Sequence, residues 1–274
     1  MLKTADAWCY LNLENPVCAW AAYRGILVQA PQQQGFISLW MASMLNANNF
    51  NRIEREFALE SIRLERYPSL ISRLKGMYVF TNKDCAKLAE KEGWGDVFVQ
   101  ENLSELSLAE ARTTGIQHDA NWITYPDESN WMDRYWLGES HPRHQPIWEV
   151  LAEGRLILLG TELREKAFKI SQEAFPDSMD LLEVGRLAAW IGSNLGNITP
   201  FLKINPPHIA LQYFLDMQDA NNEDFLCRLK ALRESGHSIN WEPISHLLSR
   251  DVISLPDFRA FGFSRQLSEM PYLK

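Results

Sequence analysis

The chain is poor in cysteine: four in 274 residues, Cys9, Cys18, Cys85 and Cys227. None stands in a Cys-x-x-Cys pair, so neither a disulfide framework nor a zinc ribbon is expected. Reduced thiols and a cytoplasmic location are the default. Long apolar runs are also missing. No stretch reaches the roughly 18–20 residues that a membrane helix needs, and the start, Met-Leu-Lys-Thr-Ala-Asp, has no signal-peptide core. Gly-x-Gly-x-x-Gly, Gly-Lys-Ser/Thr and Gly-x-Ser-x-Gly are absent. This removes the usual sequence grounds for a dinucleotide-binding Rossmann unit, a P-loop ATPase or an α/β-hydrolase. Basic charge is in deficit, with 27 Lys and Arg against 35 Asp and Glu and a net charge of −8. The deficit is even: residues 1–170 carry 18 basic and 22 acidic groups, and the remainder 9 and 13. No segment forms a basic arm for nonspecific nucleic-acid binding, which needs many paired phosphates.

Tryptophan, by contrast, is abundant, ten in all, with Trp122, Trp131, Trp136 and Trp148 close together. They read either as core or as the lining of a site for a flat ligand. Trp8–Leu13 reads as a strand stopped by Asn15-Pro16, and 36–47 as helix or strand. Residues 52–66 read as a helix capped by Asn51 and ended by Pro68, with Ile53, Phe57, Ser61 and Leu64 on one face. Its four Arg and four Glu read as a solvated face. Met77–Phe80 reads as a buried strand. A short helix from Cys85 to Lys91 follows, capped by Thr81–Asp84 and ended by Gly93 and Gly95, and Val97–Val99 as another short strand. Residues 104–112 read as helix and 115–134 as loop. Glu149–Leu151 and Arg155–Leu159 read as a hairpin around Glu153-Gly154. From residue 171 the pattern predicts helices alone, at 179–194, 207–219, 222–235 and 241–249. The chain therefore divides into a mixed α+β part, 1–170, and an all-helical part, 171–274.

Glu149 is the foremost chemical candidate. By itself it reads as a strand-edge carboxylate facing solvent. Downstream of Tyr135-Trp136-Leu-Gly-Glu139 it reads as a carboxylate that stabilises positive charge on a sugar ring. Glu139 is a second acid, so a glycoside hydrolase using Glu139 and Glu149 is an alternative. Ser72-Arg73 reads as a surface turn or as a phosphate clamp, with Arg supplying a forked, permanent charge. Tyr78 reads as core or as a platform for a nicotinamide ring. His141 and His144 lack a third metal ligand, and no metal is expected. Cys85 and His118 carry no local signature of a nucleophile pair.

Two segments, Glu60–Phe80 with its Tyr-Pro and Ser-Arg-Leu elements, and Tyr135-Trp136-x-Gly138-Glu139 followed by Pro146-Ile-Trp-Glu149-Val-Leu, resemble a bacterial and phage-borne branch of the ADP-ribosyltransferase-like superfamily. The resemblance covers about residues 6–170. It implies a split mixed β-sheet that clamps NAD, consumed as a substrate, followed by the helical C-terminal part. It further implies Glu149 on a late strand as the catalytic carboxylate and Tyr78 on a middle strand beside the nicotinamide. Ser72, Arg73, Tyr135 and Trp136 would complete the NAD cleft. The first strand of that superfamily carries His or Arg. Here it carries neither, so Tyr10 or Asn12 substitutes, or Arg73 supplies the charge. The activity implied is transfer of ADP-ribose to a macromolecular acceptor, protein or nucleic acid, by a toxin or defence effector with a neutralising partner. A protein that kept the fold but lost catalysis and serves interaction is the alternative.

Overall fold

The computed structural model describes residues 6–46, 50–92, 98–126, 128–205, 207–249 and 252–266. The fold is mixed α+β. A five-stranded sheet is built from β1 (Ala7–Tyr10), β2 (Ile26–Val28), β3 (Met77–Phe80), β4 (Leu103–Asp119) and β5 (Trp148–Leu158). Helices α1 (Pro16–Arg24), α2 (Leu39–Asn46), α3 (Phe50–Arg66), α4 (Lys83–Lys91), α5 (Asn121–Thr124) and α6 (Trp131–Leu137) lie between these strands. After them come α7 (Thr161–Ala174), α8 (Met179–Trp190), β6 (Ile198–Asn205), β7 (His208–Leu215), α9 (Glu223–Glu234), α10 (Glu242–Ser249) and β8 (Phe263–Gln266).

All pairings in the first sheet are antiparallel, in the order β2-β5-β3-β1-β4, and β4 also pairs with β5. The strands β1, β3, β5 and β4 thus close on one another. Strand β4 can do this because it is long and interrupted by register shifts between Ser107 and Glu110 and between Thr113 and Gln117. Such bulges bend and twist a strand. Its first residues pair with β1 and the rest with β5.

Several local expectations are met. Asn82 caps α4 through its side chain, which accepts from the Cys85 amide at 2.8 Å. Helix α3 stops at Arg66, ahead of Pro68. Others are corrected. The first strand ends at Tyr10, short of Leu13, and Asn15-Pro16 opens a helix rather than stopping that strand: Asn15 accepts from the Val17 amide at 3.0 Å and Pro16 takes the first helical position. Asn51 lies inside α3 rather than at its cap. The buried face of α3 is Ile53, Glu56, Leu59, Glu60 and Arg63, whereas Ser61 and Leu64 are exposed. Charge is therefore on the inside of this helix.

Residues 104–112 form strand, not helix. Ser104 and Leu106 face inward while Glu105 faces out, a period of two set by pairing with β1 and β5 that overrides the helix propensity of Leu, Glu and Ala. The stretch 115–134 is the end of β4 followed by α5 and the start of α6. The expected hairpin at Glu153-Gly154 is one continuous strand. Gly154 bends it at φ +109° opposite Ala111. Gly93, Gly95 and Val97 lie outside the described residues, and Phe98 and Val99 belong to no strand.

The C-terminal part is not all-helical. Helices are found at α8, α9 and α10 as expected, but 208–215 is β7, the middle strand of the β6-β7-β8 sheet. Residue 170 falls within α7. Val17 and Trp20 share a core with Phe175, Leu181, Leu182 and Phe258. Met41, Leu45 and Ile53 share another with Leu202, Ile209 and Leu211. Among the described residues, no helix is long and apolar enough to cross a membrane.

Candidate functional site

The inward charges of α3 meet the segment before β3. Arg73 has no exposed surface. Its guanidinium grips Glu56 with two bonds, Nε to Oε2 at 2.5 Å and Nη2 to Oε1 at 2.8 Å. Through Nη1 it donates to Oε1 of Glu149 and to the Tyr135 hydroxyl. That hydroxyl donates in turn to the same Glu149 Oε1, at 2.9 Å. The rings of Tyr78 and Tyr135 flank the guanidinium carbon at 4.6 and 5.0 Å. Arg52, one helical turn before Glu56, donates to it at 3.2 Å. Two arginines thus balance two carboxylates in a nearly water-free site. Isolated charge is costly there, and pairing with saturated hydrogen bonding is what makes it tolerable.

The titration behaviour follows. Burial works against ionisation of both Arg73 and Glu56. For Arg73 the attraction of Glu149 and Glu56 prevails and holds its pKa well above the usual value. For Glu56 the Arg73 charge prevails and holds the carboxyl below the usual range. Burial raises the phenols of Tyr78 and Tyr135 well above the normal range, so both stay neutral proton donors. His118 stacks on Tyr135 at 4.6 Å, and its Nδ1 lies 2.8 Å from the Tyr135 carbonyl. The carbonyl can only accept, so Nδ1 carries the proton. Burial, with repulsion from Arg73, brings the His118 pKa down to about 4.

Beside this network lies a cavity of about 20 Å³ lined by Tyr10, Trp40, Arg52, Tyr78, Phe80, Phe98 and Glu149. A second one of about 60 Å³ shares Tyr10, Trp40 and Tyr78 with it. Asn12 also lines the second cavity, together with apolar residues from β1, β2, β3 and α2. Among the described residues every hydrogen bond to Glu149 falls on Oε1. The Trp40 indole N–H and the Tyr78 hydroxyl are buried without a partner. Such orphaned donors are uncommon in folded proteins and mark a place where a ligand or water belongs.

The sequence candidates divide accordingly. Glu149, Arg73, Tyr78 and Tyr135 come together, and Tyr10 and Asn12 join them along the cavities. Tyr10 itself is held by donation of its hydroxyl to the Ala86 carbonyl at 2.9 Å. Ser72 does not belong to this group: it lines a different groove, with Glu60, Arg63 and Lys75. Ser72 and Arg73 therefore form no joint phosphate clamp, and Arg73 is committed to carboxylates. Trp136 is a core residue, packed with Leu59, Ile71, Trp122 and Leu151 and bonded to the Leu59 carbonyl at 3.0 Å. It offers no face to a ligand. Glu139 is half-exposed, pairs with Arg134 at 3.1 Å and lines neither cavity, so it is not brought to Glu149. His144 stacks on Tyr125, and His141 packs against Trp122 at a tilt of 58°. Among the described residues no group of three His, Cys, Asp or Glu side chains is placed to hold a metal ion.

Sequence reasoning missed Glu56, Arg52 and Trp40, and weighed His118 only as the partner of Cys85. For Glu56 a signal existed: it stands three residues from both Ile53 and Leu59, on the stripe that helical spacing assigns to the interior.

Residues 31–166 are similar to a family described as a protein of unknown function (DUF2441). That span holds Trp40, Arg52, Glu56, Arg73, Tyr78, His118, Tyr135 and Glu149, so the whole polar network lies within the DUF2441-like region. Tyr10, the last residue of β1, and Asn12, two residues beyond it, lie before that span. No curated protein and no solved structure matches the chain.

Proposed function

We propose that the chain is an ADP-ribosyltransferase that consumes NAD and moves ADP-ribose to a macromolecular acceptor. One observation carries the reading. Tyr10 of β1, Tyr78 of β3 and Glu149 of β5, on strands that lie side by side in the order β1-β3-β5, line a single aromatic-walled cavity. The resemblance implied an aromatic on a middle strand and a glutamate on a later one, arranged as a split-sheet NAD cleft.

The chemistry suits these groups. Tyr78 and Trp40 have flat rings and orphaned donors for a planar, acceptor-bearing ring. Glu149 Oε2 is left to accept from a ribose hydroxyl, while Arg73 and Tyr135 hold Oε1. As the bond between ribose and nicotinamide breaks, the ring carbon gains positive charge. A fixed carboxylate stabilises it, and nicotinamide leaves neutral. An acceptor nucleophile then bonds to that carbon and loses its proton. The two cavities hold only a few waters, so binding requires Trp40 and α2 to draw back from β1 and β3.

In this reading the acceptor is a protein or a nucleic acid, and the protein is a toxin or defence effector that a neutralising partner restrains. A non-catalytic interaction protein is the second reading. It is favoured by the absence of His or Arg on β1 and by the neutralisation of Glu149 by Arg73. Release of nicotinamide from NAD separates the two. The transferase reading expects release by the wild type and its loss in Glu149→Gln. Equal, slow release by both proteins ends it.

A further inference from the structure

A second groove, with a cavity volume of about 680 Å³, opens between α3 and the edge of β6, away from Glu149. Strand β6 is the outer strand of its sheet. Its first half is covered: Phe36 bridges to Phe201, the Leu202 amide donates to the Gly35 carbonyl at 2.7 Å, and the Ile37 amide donates to the Pro200 carbonyl at 3.1 Å. Alternation then turns the N–H and C=O of Ile204 to that same outer side. No strand of the described residues lies beside them. Ile204 continues the inward row Ile198, Pro200, Leu202, yet it is 47% exposed, and Leu64 across the groove is 62% exposed. Phe36, Phe57 and Phe201 also line the groove.

Its charge differs from that of the whole chain. Arg63, Lys75 and Lys203 face a single acid, Glu60, in a protein whose acids outnumber its bases. Arg63 is satisfied by Glu60, and the Lys75 ammonium donates to the Gln32 and Gln33 carbonyls at 2.6 and 3.0 Å, so no carboxylate of the described residues pairs with either lysine. Ser72 lines the groove too, although its hydroxyl is buried, without a partner.

We propose that this groove binds an extended acidic segment of a partner protein, which adds a strand to β6 at Ile204. Its apolar side chains would cover Ile204, Leu64 and Phe57, and its carboxylates would meet Lys203 and Lys75. Strand addition suits the exposed edge, because main-chain bonds supply affinity and alternate side chains supply selection. The site does not depend on the Glu149 chemistry.

The test uses the full chain and fluorescein-labelled decapeptides that alternate Glu or Asp with aliphatic or aromatic residues, read by fluorescence anisotropy. Matched peptides with Lys in place of the acids, and oligouridylate, serve as controls. Binding of acidic peptides alone is expected, weakened at least tenfold by Lys203→Glu and by Ile204→Pro, with slowed amide exchange at Ile204 in the complex. Lys203→Gln, a surface change, serves as the variant least disturbing to folding and should weaken binding severalfold. The proposal is overturned by no binding of any acidic peptide, by equal binding of the basic set, by preference for oligouridylate, or by binding that none of these substitutions weakens.

Discussion

Arg73 and Glu149 form an ion pair with almost no contact with water, joining the segment before β3 to the start of β5. Glu56 holds the other side of the same guanidinium. A buried cation gripped by two carboxylates makes the site rigid and makes each member hard to remove alone.

Arg73→Met should therefore cost about 3–5 kcal/mol of folding stability, because it leaves Glu149 buried without a cation and Glu56 with Arg52 alone. Arg73→Lys should recover only part of the loss, since an ammonium cannot reproduce the two-bond grip on Glu56. Denaturant unfolding of the three proteins checks this. Equal midpoints would show that the pair adds nothing to stability.

His118 predicts an acid-sensitive fold. Its pKa in the folded chain is about 4, against 6.5 as the ordinary value. Between these limits the unfolded chain takes up a proton that the folded chain refuses. Stability is then full above about pH 6.5 and falls as the pH drops to about 4, by about 3 kcal/mol in all. Glu56, whose carboxyl is held low, adds a further loss below the normal carboxylate range. Urea midpoints at pH 7.5, 6 and 5 should show the decline. His118→Phe, which keeps the stack on Tyr135, should flatten it.

Tyr135→Phe removes a hydroxyl that serves both Arg73 and Glu149. A loss of about 1–3 kcal/mol is expected. Trp136→Ala should cost about 3–5 kcal/mol through the large cavity it leaves in the core. The folded fraction of that variant should nevertheless release nicotinamide at an unchanged rate if the chain cleaves NAD. Thermal unfolding combined with the release assay tells a core tryptophan from one that stacks on a ligand.

Gly154→Ala tests the bend in β5. A Cβ there would approach the Glu110 carbonyl oxygen to 2.7 Å, and φ is +109°. Strain of about 2 kcal/mol is expected. An unaltered melting temperature would argue against the close approach of Gly154 to the Glu110 carbonyl.

Local signals fared well wherever the chemistry acts over a few residues. Asn82 before Lys83, Pro68 after α3 and the apolar Met77–Phe80 run all act within a turn or two, and the helices α8, α9 and α10 are legible in the same way. Two of the misreadings share one cause. Residues 104–112 and 207–219 contain enough Leu, Ala, Glu and Gln to favour a helix, and they fall largely in strands Leu103–Asp119 and His208–Leu215 because distant strands supply their hydrogen-bond partners. The candidate site was half legible. Glu149, Arg73, Tyr78 and Tyr135 stand out as polar or aromatic residues beside apolar runs, but their assembly around one guanidinium depends on positions far apart in the chain. Glu56 was hidden among the balanced charges of α3.

The sequence by itself determined the Asn82 cap, the Pro68 break, the α+β character and the residue types available for chemistry, since these depend on backbone preference and local spacing. Only the tertiary structure decided which face of α3 is buried, that β5 continues unbroken past Gly154, and that Arg73 meets carboxylates instead of a phosphate. The reason is physical. Burial and charge pairing are settled by which surfaces are brought together, and a charged side chain reads the same along the chain whether water or a second charge awaits it.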